Sequence, residues 1–281
     1  MDGCDPAGMG ITDFEDRVVV VTGGASGIGR GMAERFGARG AQAVIADLDG
    51  PALERAAAET GSTPVATDVA DAASVAALAD RVLAEHGRVD IVCNNAGVGP
   101  RADVSRLTLG DWEWVLRVNL FGVIHGVHAF LPHLRANPRG GWIVNTASMS
   151  RFVFPPGYAP YVTSKAGVEA LSLVLAKELA ADGADIGVTV LHPGAVHTDI
   201  KHSLRSRPAA LGQDSGLVDF DLAQQLPAST RWSTPVETGE LVVRAVERGE
   251  LYALTHPEQL PQVRATHAAV EEAFEQAATV R

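Results

Sequence analysis

The chain has 281 residues, a formal net charge of -11 and 46% hydrophobic residues. The acidic balance argues against nucleic acid or an anionic membrane as partner, and the apolar content argues against global disorder. No run approaches the ~20 uninterrupted apolar residues of a membrane span. Met1–Asp16 lacks the basic and apolar regions of a secretion signal. Two cysteines, Cys4 and Cys93, make neither a disulfide framework nor a metal site. Together these features predict a cytoplasmic protein, with Cys4 in a flexible tail over residues 1–12 and Cys93 as a small core residue.

From Arg17 to Thr22 the chain is a continuous apolar run, the pattern of a strand buried on both faces. Gly23-Gly24-Ala25-Ser26-Gly27-Ile28-Gly29 follows at once, and a helical pattern runs from Ile28 to about Arg39. Strand, glycine turn and helix together bring backbone N–H groups and a helix N-terminus onto a pyrophosphate. A plain flexible turn is the alternative. The second strand, Ala43–Asp47, ends in an acid roughly the ~20 residues past the glycines that the dinucleotide fingerprint asks for. Asp47 suits the ribose hydroxyls of the adenosine and repels a 2′-phosphate. Neither Ser26 nor Leu48 is basic, so NAD is favoured over NADP.

Helix Pro51–Thr60 leads to a third strand, Thr63–Val69. There Asp68 and the Val69 backbone are candidates to meet the adenine, with a local helix cap as the other reading of Asp68. Helix 72–86 precedes a fourth strand, Val89–Cys93, which runs into Asn94-Asn95-Ala96-Gly97. Two amides and a glycine there belong at the ligand crevice of an open α/β sheet. A long helix is expected over 109–133. Asn119 lies in its middle, among apolar residues, where asparagine is a mediocre helix former. A fifth strand, Gly141–Ser148, is followed by a helix around Tyr161 running to about Ala181. A sixth strand, Ile186–Leu191, leads into His192–Thr198. Residues 199–234 lose regularity and read as a lid. Helix 235–248, strand 251–255 and a C-terminal helix over 258–278 complete the chain. The alternation predicts a single α/β domain over 13–281, a Rossmann-like doubly wound sheet of about seven mainly parallel strands.

Tyr161 and Lys165 are four apart and so share one helix face. A phenol titrates near ~10 and is a poor base at neutral pH. A cation held at ~4 Å favours the phenolate by up to about 4 kcal/mol at an effective dielectric of 20. Such a pair is a candidate general acid/base.

Taken in order, these pieces resemble the classical NAD-using form of the short-chain dehydrogenase/reductase family. The likeness covers about residues 13 to 257. It rests on Thr22-Gly23-x-x-x-Gly27-Ile28-Gly29, Asp47, Asp68-Val69, Asn94-Asn95-Ala96-Gly97, Asn119, Ser148, Tyr161-x-x-x-Lys165 and Pro193-Gly194 to Thr198. The resemblance implies hydride transfer between nicotinamide C4 and a carbinol or carbonyl carbon. It implies Tyr161 as proton donor and acceptor, and Ser148 as hydrogen-bond partner of the substrate oxygen. Lys165 is implied to lower the tyrosine pKa and bind the nicotinamide ribose, and Asn119 to support a proton-relaying water. The cofactor contacts implied are Gly23, Ser26, Gly27, Ile28, Gly29, Asp47, Leu48, Asp68, Val69, Asn95, Ala96, Gly97, Tyr161, Lys165, Pro193, Gly194, Val196 and Thr198. A homotetramer is implied as well, with a dimer as the alternative.

The substrate pocket is expected from the turn after Ser148 and from the lid, with Ser150, Phe152, Phe154, Leu204 and Trp232 as candidate lining. An apolar wall suits a hydrophobic, cyclic secondary alcohol or its ketone. Packing of the lid onto the core is the alternative role for those side chains. Arg151, Lys201, His202, Arg205 and Arg207 are candidates to pair with a substrate carboxylate, against the alternative of a solvated basic lid. His192 and His197 flank the Pro-Gly turn with no third ligand in reach, so His192 reads as a core residue and no metal is expected. A non-catalytic NAD-binding regulator is the rival reading from another class. It would be expected to lose Tyr161 or Lys165.

Overall fold

The computed structural model describes residues 10–48, 50–212 and 214–279; Cys4 and most of the expected tail lie outside them. Seven parallel strands form one sheet in the order β3-β2-β1-β4-β5-β6-β7. They are β1 Val18–Thr22, β2 Gln42–Asp47, β3 Thr63–Ala66, β4 Ile91–Asn94, β5 Gly141–Thr146, β6 Ile186–His192 and β7 Tyr252–Leu254. The helices are α1 Gly27–Gly37, α2 Pro51–Thr60, α3 Ala72–His86, α4 Leu109–Leu116, α5 Gly122–Ala136, α6 Ser150–Val153, α7 Ala159–Ala181, α8 Pro235–Arg248 and α9 Leu260–Thr279.

The apolar runs do what a period of two dictates in a sheet covered on both faces. Val19 and Val21 of β1 point into the core formed with α1, α2 and α8. Val18 and Val20 point into the opposite core, formed with α3, α5 and α7. Ile91 and Cys93 of β4 go to the first core and Val92 to the second. Cys93 is fully buried and free, as expected of a small core residue.

Local chemistry sets the helix ends. Asp71 caps α3 by accepting from Ala73 N, and Thr108–Asp111 and Thr234–Glu237 form capping boxes on α4 and α8. Left-handed Gly61, Gly87 and Gly249 end α2, α3 and α8. Helices α1 and α8 touch through glycine: a Cβ on Gly31 would lie 2.1 Å from the Pro235 carbonyl oxygen.

Two expectations need correction and one is refined. The packed chain begins before residue 13: Ile11 is buried, and its N–H donates to Val246 O at 3.1 Å. The long helix runs through from Leu109 to Ala136, but Arg117–Phe121 widens it into a π-turn between α4 and α5. The strand expected to reach Ser148 stops at Thr146, and a short helix, α6, follows. By length and composition Leu109–Ala136 would suffice to cross a membrane, yet its helices pack on β4, β5, α3 and α7. Among the described residues, the lid 199–234 carries three 3-10 helices, Asp199–Ser206, Ala209–Leu211 and Leu222–Gln224.

Candidate active site

The chain runs outward from β1 in one direction and from β4 in the other, so a crevice opens at the carboxyl ends of these two strands. The glycine turn forms one wall. Gly23 (φ +67°) and Gly27 (φ +50°) adopt the left-handed backbone that glycine tolerates. A Cβ on Gly23 would sit 2.8 Å from Ala96 Cα, and one on Gly27 would sit 3.1 Å from Thr198 Cγ2. A cleft of about 330 Å³ opens here, lined by Gly27, His197, Thr198, Asp199 and Pro235. Ser26 occupies the N-cap of α1 without capping it through its side chain, and Ile28 packs into the core behind it.

Asp47 stands at the end of β2. Its two oxygens accept from Ala25 N at 3.0 Å and Leu48 N at 2.8 Å, so it secures the glycine turn. Burial raises its pKa above the usual carboxylate value, while those backbone bonds and Arg205 pull the other way. The Leu48 side chain is exposed.

Asp68 and Val69 follow β3. The exposed Asp68 carboxylate accepts from Ala70 N at 2.9 Å, and the buried Val69 carbonyl meets His125 Nδ1 at 2.9 Å. Helix capping there falls to Asp71.

Asn95 braces strand ends. Its Nδ2 donates to Thr22 O at 3.0 Å, and Thr146 Oγ1 donates to its Oδ1 at 3.3 Å. Thr22 Oγ1 in turn accepts from Asn95 N and Ala96 N at 2.9 and 3.2 Å. On the far wall Gly194 N donates to Thr255 Oγ1 at 2.8 Å, and Val196 bridges to Ser233.

The four expected catalytic side chains are on neighbouring elements. Asn119, fully buried, lies in the π-turn, a local widening often found at functional sites. Its Oδ1 accepts from Val98 N at 2.8 Å, and its Nδ2 donates to Val98 O at 2.9 Å and to Ser164 Oγ at 3.2 Å. The amide thereby clamps the loop leaving β4. A Cβ on Gly97 would lie 3.3 Å from Asn119 Oδ1 and 3.5 Å from Lys165 Nζ, so this glycine packs directly against both side chains.

Lys165 is buried and donates from Nζ to Thr146 O at 2.8 Å. Burial lowers its pKa to about 8. Its Nζ is 5.8 Å from the centre of the Tyr161 ring. The Ser148 side chain stands beside the Tyr161 phenol. Burial raises the Tyr161 pKa above 10.0, with the neighbouring Ser148 hydroxyl pulling it down. Desolvation is the largest influence on the phenol here.

Sequence reasoning missed what stands behind Ser148. His192 is buried, its Nδ1 3.1 Å from the Ser148 carbonyl oxygen, and burial lowers its pKa to about 4. As a neutral ring it donates to that carbonyl. Its Nε2 is 3.9 Å from Glu169 Oε1, and the buried Glu169 pairs with Arg151. His192 is the core residue its strand-end position suggests, but nothing in the local sequence marks its contact with Ser148 or the role of Glu169, because both arise from elements distant along the chain.

The five expected pocket residues do not form one wall. Ser150 N donates to Ser148 Oγ at 3.1 Å, which places it at the site. Phe152 instead packs on the His192 ring at 4.8 Å. Phe154 takes a left-handed backbone (φ +46°) and is exposed. Leu204 joins a lid core with Trp114, Val115 and Leu217. Trp232 stacks on His197 at 4.9 Å, beside the cleft at Gly27. The residues found near Tyr161 are Gly99, Ile200 and Tyr158. A Cβ on Gly99 would be 3.7 Å from Tyr161 Cε2 and 3.1 Å from Ile200 Cδ1. The Tyr158 and Tyr161 ring centres are 6.2 Å apart. Among the described residues no group of three or more His, Cys, Asp or Glu side chains could hold a metal.

A parallel sheet with a glycine cradle at its switch point and a Tyr–Lys pair beside it defines a nicotinamide-dinucleotide oxidoreductase. The family profile described as short chain dehydrogenase matches residues 17–209. The chain belongs to the short-chain dehydrogenase/reductase family, as an NAD(P)-dependent oxidoreductase acting on alcohols. It is 34% identical over 254 residues to a C alpha-dehydrogenase of Sphingobium sp. (strain NBRC 103272 / SYK-6), covering 88% of this chain and 82% of that one. It is 38% identical over 219 residues to a 1-deoxy-11-beta-hydroxypentalenate dehydrogenase of Streptomyces exfoliatus, covering 75% and 78%. A short-chain dehydrogenase/reductase from Burkholderia phymatum, solved in complex with NAD, superposes with a TM-score of 0.87 at 35% identity, covering 94% and 97%.

Proposed function

We propose that this enzyme uses NAD to interconvert a hydrophobic, cyclic secondary alcohol and its ketone, with Tyr161 as general acid/base. The observation that carries the reading is the Tyr161 phenol beside Ser148, with buried Lys165 one helical turn away and Nζ 5.8 Å from the phenol ring centre, beside the glycine cradle. NAD in this crevice would supply the hydride acceptor. Gly23, Gly27 and the N-terminus of α1 would hold its pyrophosphate, and Asp47 the adenosine ribose. Thr198 and the Val196 backbone would orient the carboxamide.

The chain's own groups handle the proton. Ser148 fixes the substrate oxygen next to the phenol, and Tyr161 takes the hydroxyl proton during oxidation. Lys165, brought to about 8 by burial, exchanges a proton near neutral pH and bonds the ribose. Asn119 holds the loop at Val98 and supports the water that carries the proton out. The reverse, ketone-reducing direction uses the same groups. The domain is one unit with a lid over 199–234. The apolar exposed faces of Phe121, Ile124 and Val174 on the helices around the site are consistent with a homotetramer.

The test is purified enzyme with NAD or NADP and a panel of cyclic and aryl secondary alcohols, followed by NADH absorbance. Turnover is expected with NAD, with NADP at least about tenfold poorer, and Asp47→Ser is expected to narrow that gap. An enzyme faster with NADP overturns the role given to Asp47.

A further inference from the structure

The basic residues expected to meet a substrate anion are already engaged within the protein. Lys201 pairs with Asp221 at 2.7 Å, His202 and Arg205 with Asp199 at 2.5 and 2.6 Å, and Arg207 with the buried Asp111 at 3.0 Å. Arg151 pairs with Glu169. Arg231 donates to the Thr255 carbonyl at 3.0 Å. Each of these cations therefore already has an acceptor within the protein.

Arg101 differs. Among the described residues it makes no ion pair and donates no side-chain hydrogen bond, although it is half-buried in an acidic protein. Its backbone is fixed by an antiparallel bridge to Val218 of the lid. Its guanidinium carbon lies 4.7 Å from the centre of the Phe220 ring and 6.0 Å from that of Tyr158. Tyr158 is 6.2 Å from Tyr161, ring centre to ring centre, so the guanidinium is at most about 12 Å from the catalytic phenol ring. Two aromatic faces restrict the side chain and replace part of its water while leaving its donor fork without an acceptor. Guanidinium forks match carboxylates bidentately.

We propose that Arg101 binds a carboxylate carried by the substrate on the side remote from its carbinol carbon, which makes the enzyme a dehydrogenase of ring-bearing hydroxy acids. The proposal rests on the reading of Tyr161 as acid/base, because it uses that phenol to place the carbinol. An apolar ring between the two ends would lie along Tyr158 and Ile200. Discrimination comes from the fork: an ester of the same shape offers it no charge and leaves the guanidinium partly desolvated. Charge-assisted hydrogen bonds of this kind correspond to roughly ten- to hundredfold in affinity.

The test compares 4-(1-hydroxyethyl)benzoate with its methyl ester, by calorimetric binding to the enzyme–NADH complex and by kcat/KM with NAD. The wild type is expected to prefer the carboxylate at least about tenfold. Arg101→Gln should abolish the preference, and Arg101→Lys should restore part of it. NADH affinity should be the same in all three proteins. The proposal is overturned if the ester binds as well as the acid, if the preference survives Arg101→Gln, or if the acid does not bind while NADH does. Failure of the underlying reading shows separately, as turnover of either compound that persists in Tyr161→Phe.

Discussion

The two ends of the sheet treat buried charge in opposite ways. At the amino end, Asp90 is completely buried and fully bonded. It accepts from Val18 N at 2.8 Å, Arg17 at 3.1 Å, Arg88 at 3.0 Å and Asn137 at 3.0 Å. These partners overcome desolvation and hold its pKa below the usual value. At the carboxyl end, Lys165, Tyr161, His192 and Glu169 are all shifted by burial toward their uncharged forms. Buried charge that is matched fixes a fold; buried groups left under-matched move protons at little cost.

The comparison breaks first at Asp90. Asp90→Ala strands two arginines beside a cavity and is expected to cost about 3–5 kcal/mol in urea unfolding at pH 7. Because the folded pKa is depressed, the loss should shrink as pH falls below the unfolded value of about 3.8. Unfolding midpoints equal to wild type would show that the amino-end network does not stabilise the protein.

Lys165→Met should behave in the opposite way: turnover disappears, yet the fold gains stability. A fall from 10.5 to about 8 corresponds to ~3 kcal/mol against folding when the lysine is protonated in both states, offset in part by its bond to Thr146. Its folded pKa is depressed, so the cost is complete below pH 8. It declines between about 8 and 10.5 as only the unfolded chain keeps the proton. Thermal unfolding at pH 7 and pH 10 measures both limbs, and a variant less stable at pH 7 contradicts the assignment.

His192 gives the smallest effect. Removing it leaves the Ser148 carbonyl with the Arg151 N–H at 3.2 Å. His192→Ala is therefore expected to lower kcat about tenfold, the size of one hydrogen bond, with KM for NAD unchanged. Steady-state kinetics normalised to NADH-binding stoichiometry separates this positioning role from a general loss of folded enzyme, which would lower the number of NADH sites and leave kcat per site unchanged.

Much of the frame was legible along the chain. The valine run of β1, the bare glycines and the misplaced Asn119 are local signals with one dominant physical cause each. Asn119 stood out because a helix gives an asparagine no reason to be apolar-flanked; the π-turn and the Val98 clamp supply it. The pocket was not legible. Phe152 and Trp232 are aromatic in sequence, but their ring partners are His192 and His197, a choice set by tertiary packing. Arg101 carries no local mark: what distinguishes it is that the other cations considered near the site found partners elsewhere in the fold.

The central claim is that the under-matched carboxyl end performs proton transfer through Tyr161. The direct measurement is NAD-dependent turnover of an accepted alcohol by Tyr161→Phe beside an NADH titration of the same variant. The account predicts a fall of about 10²–10⁴-fold or more with NADH binding unchanged. Turnover within a few-fold of wild type would contradict it.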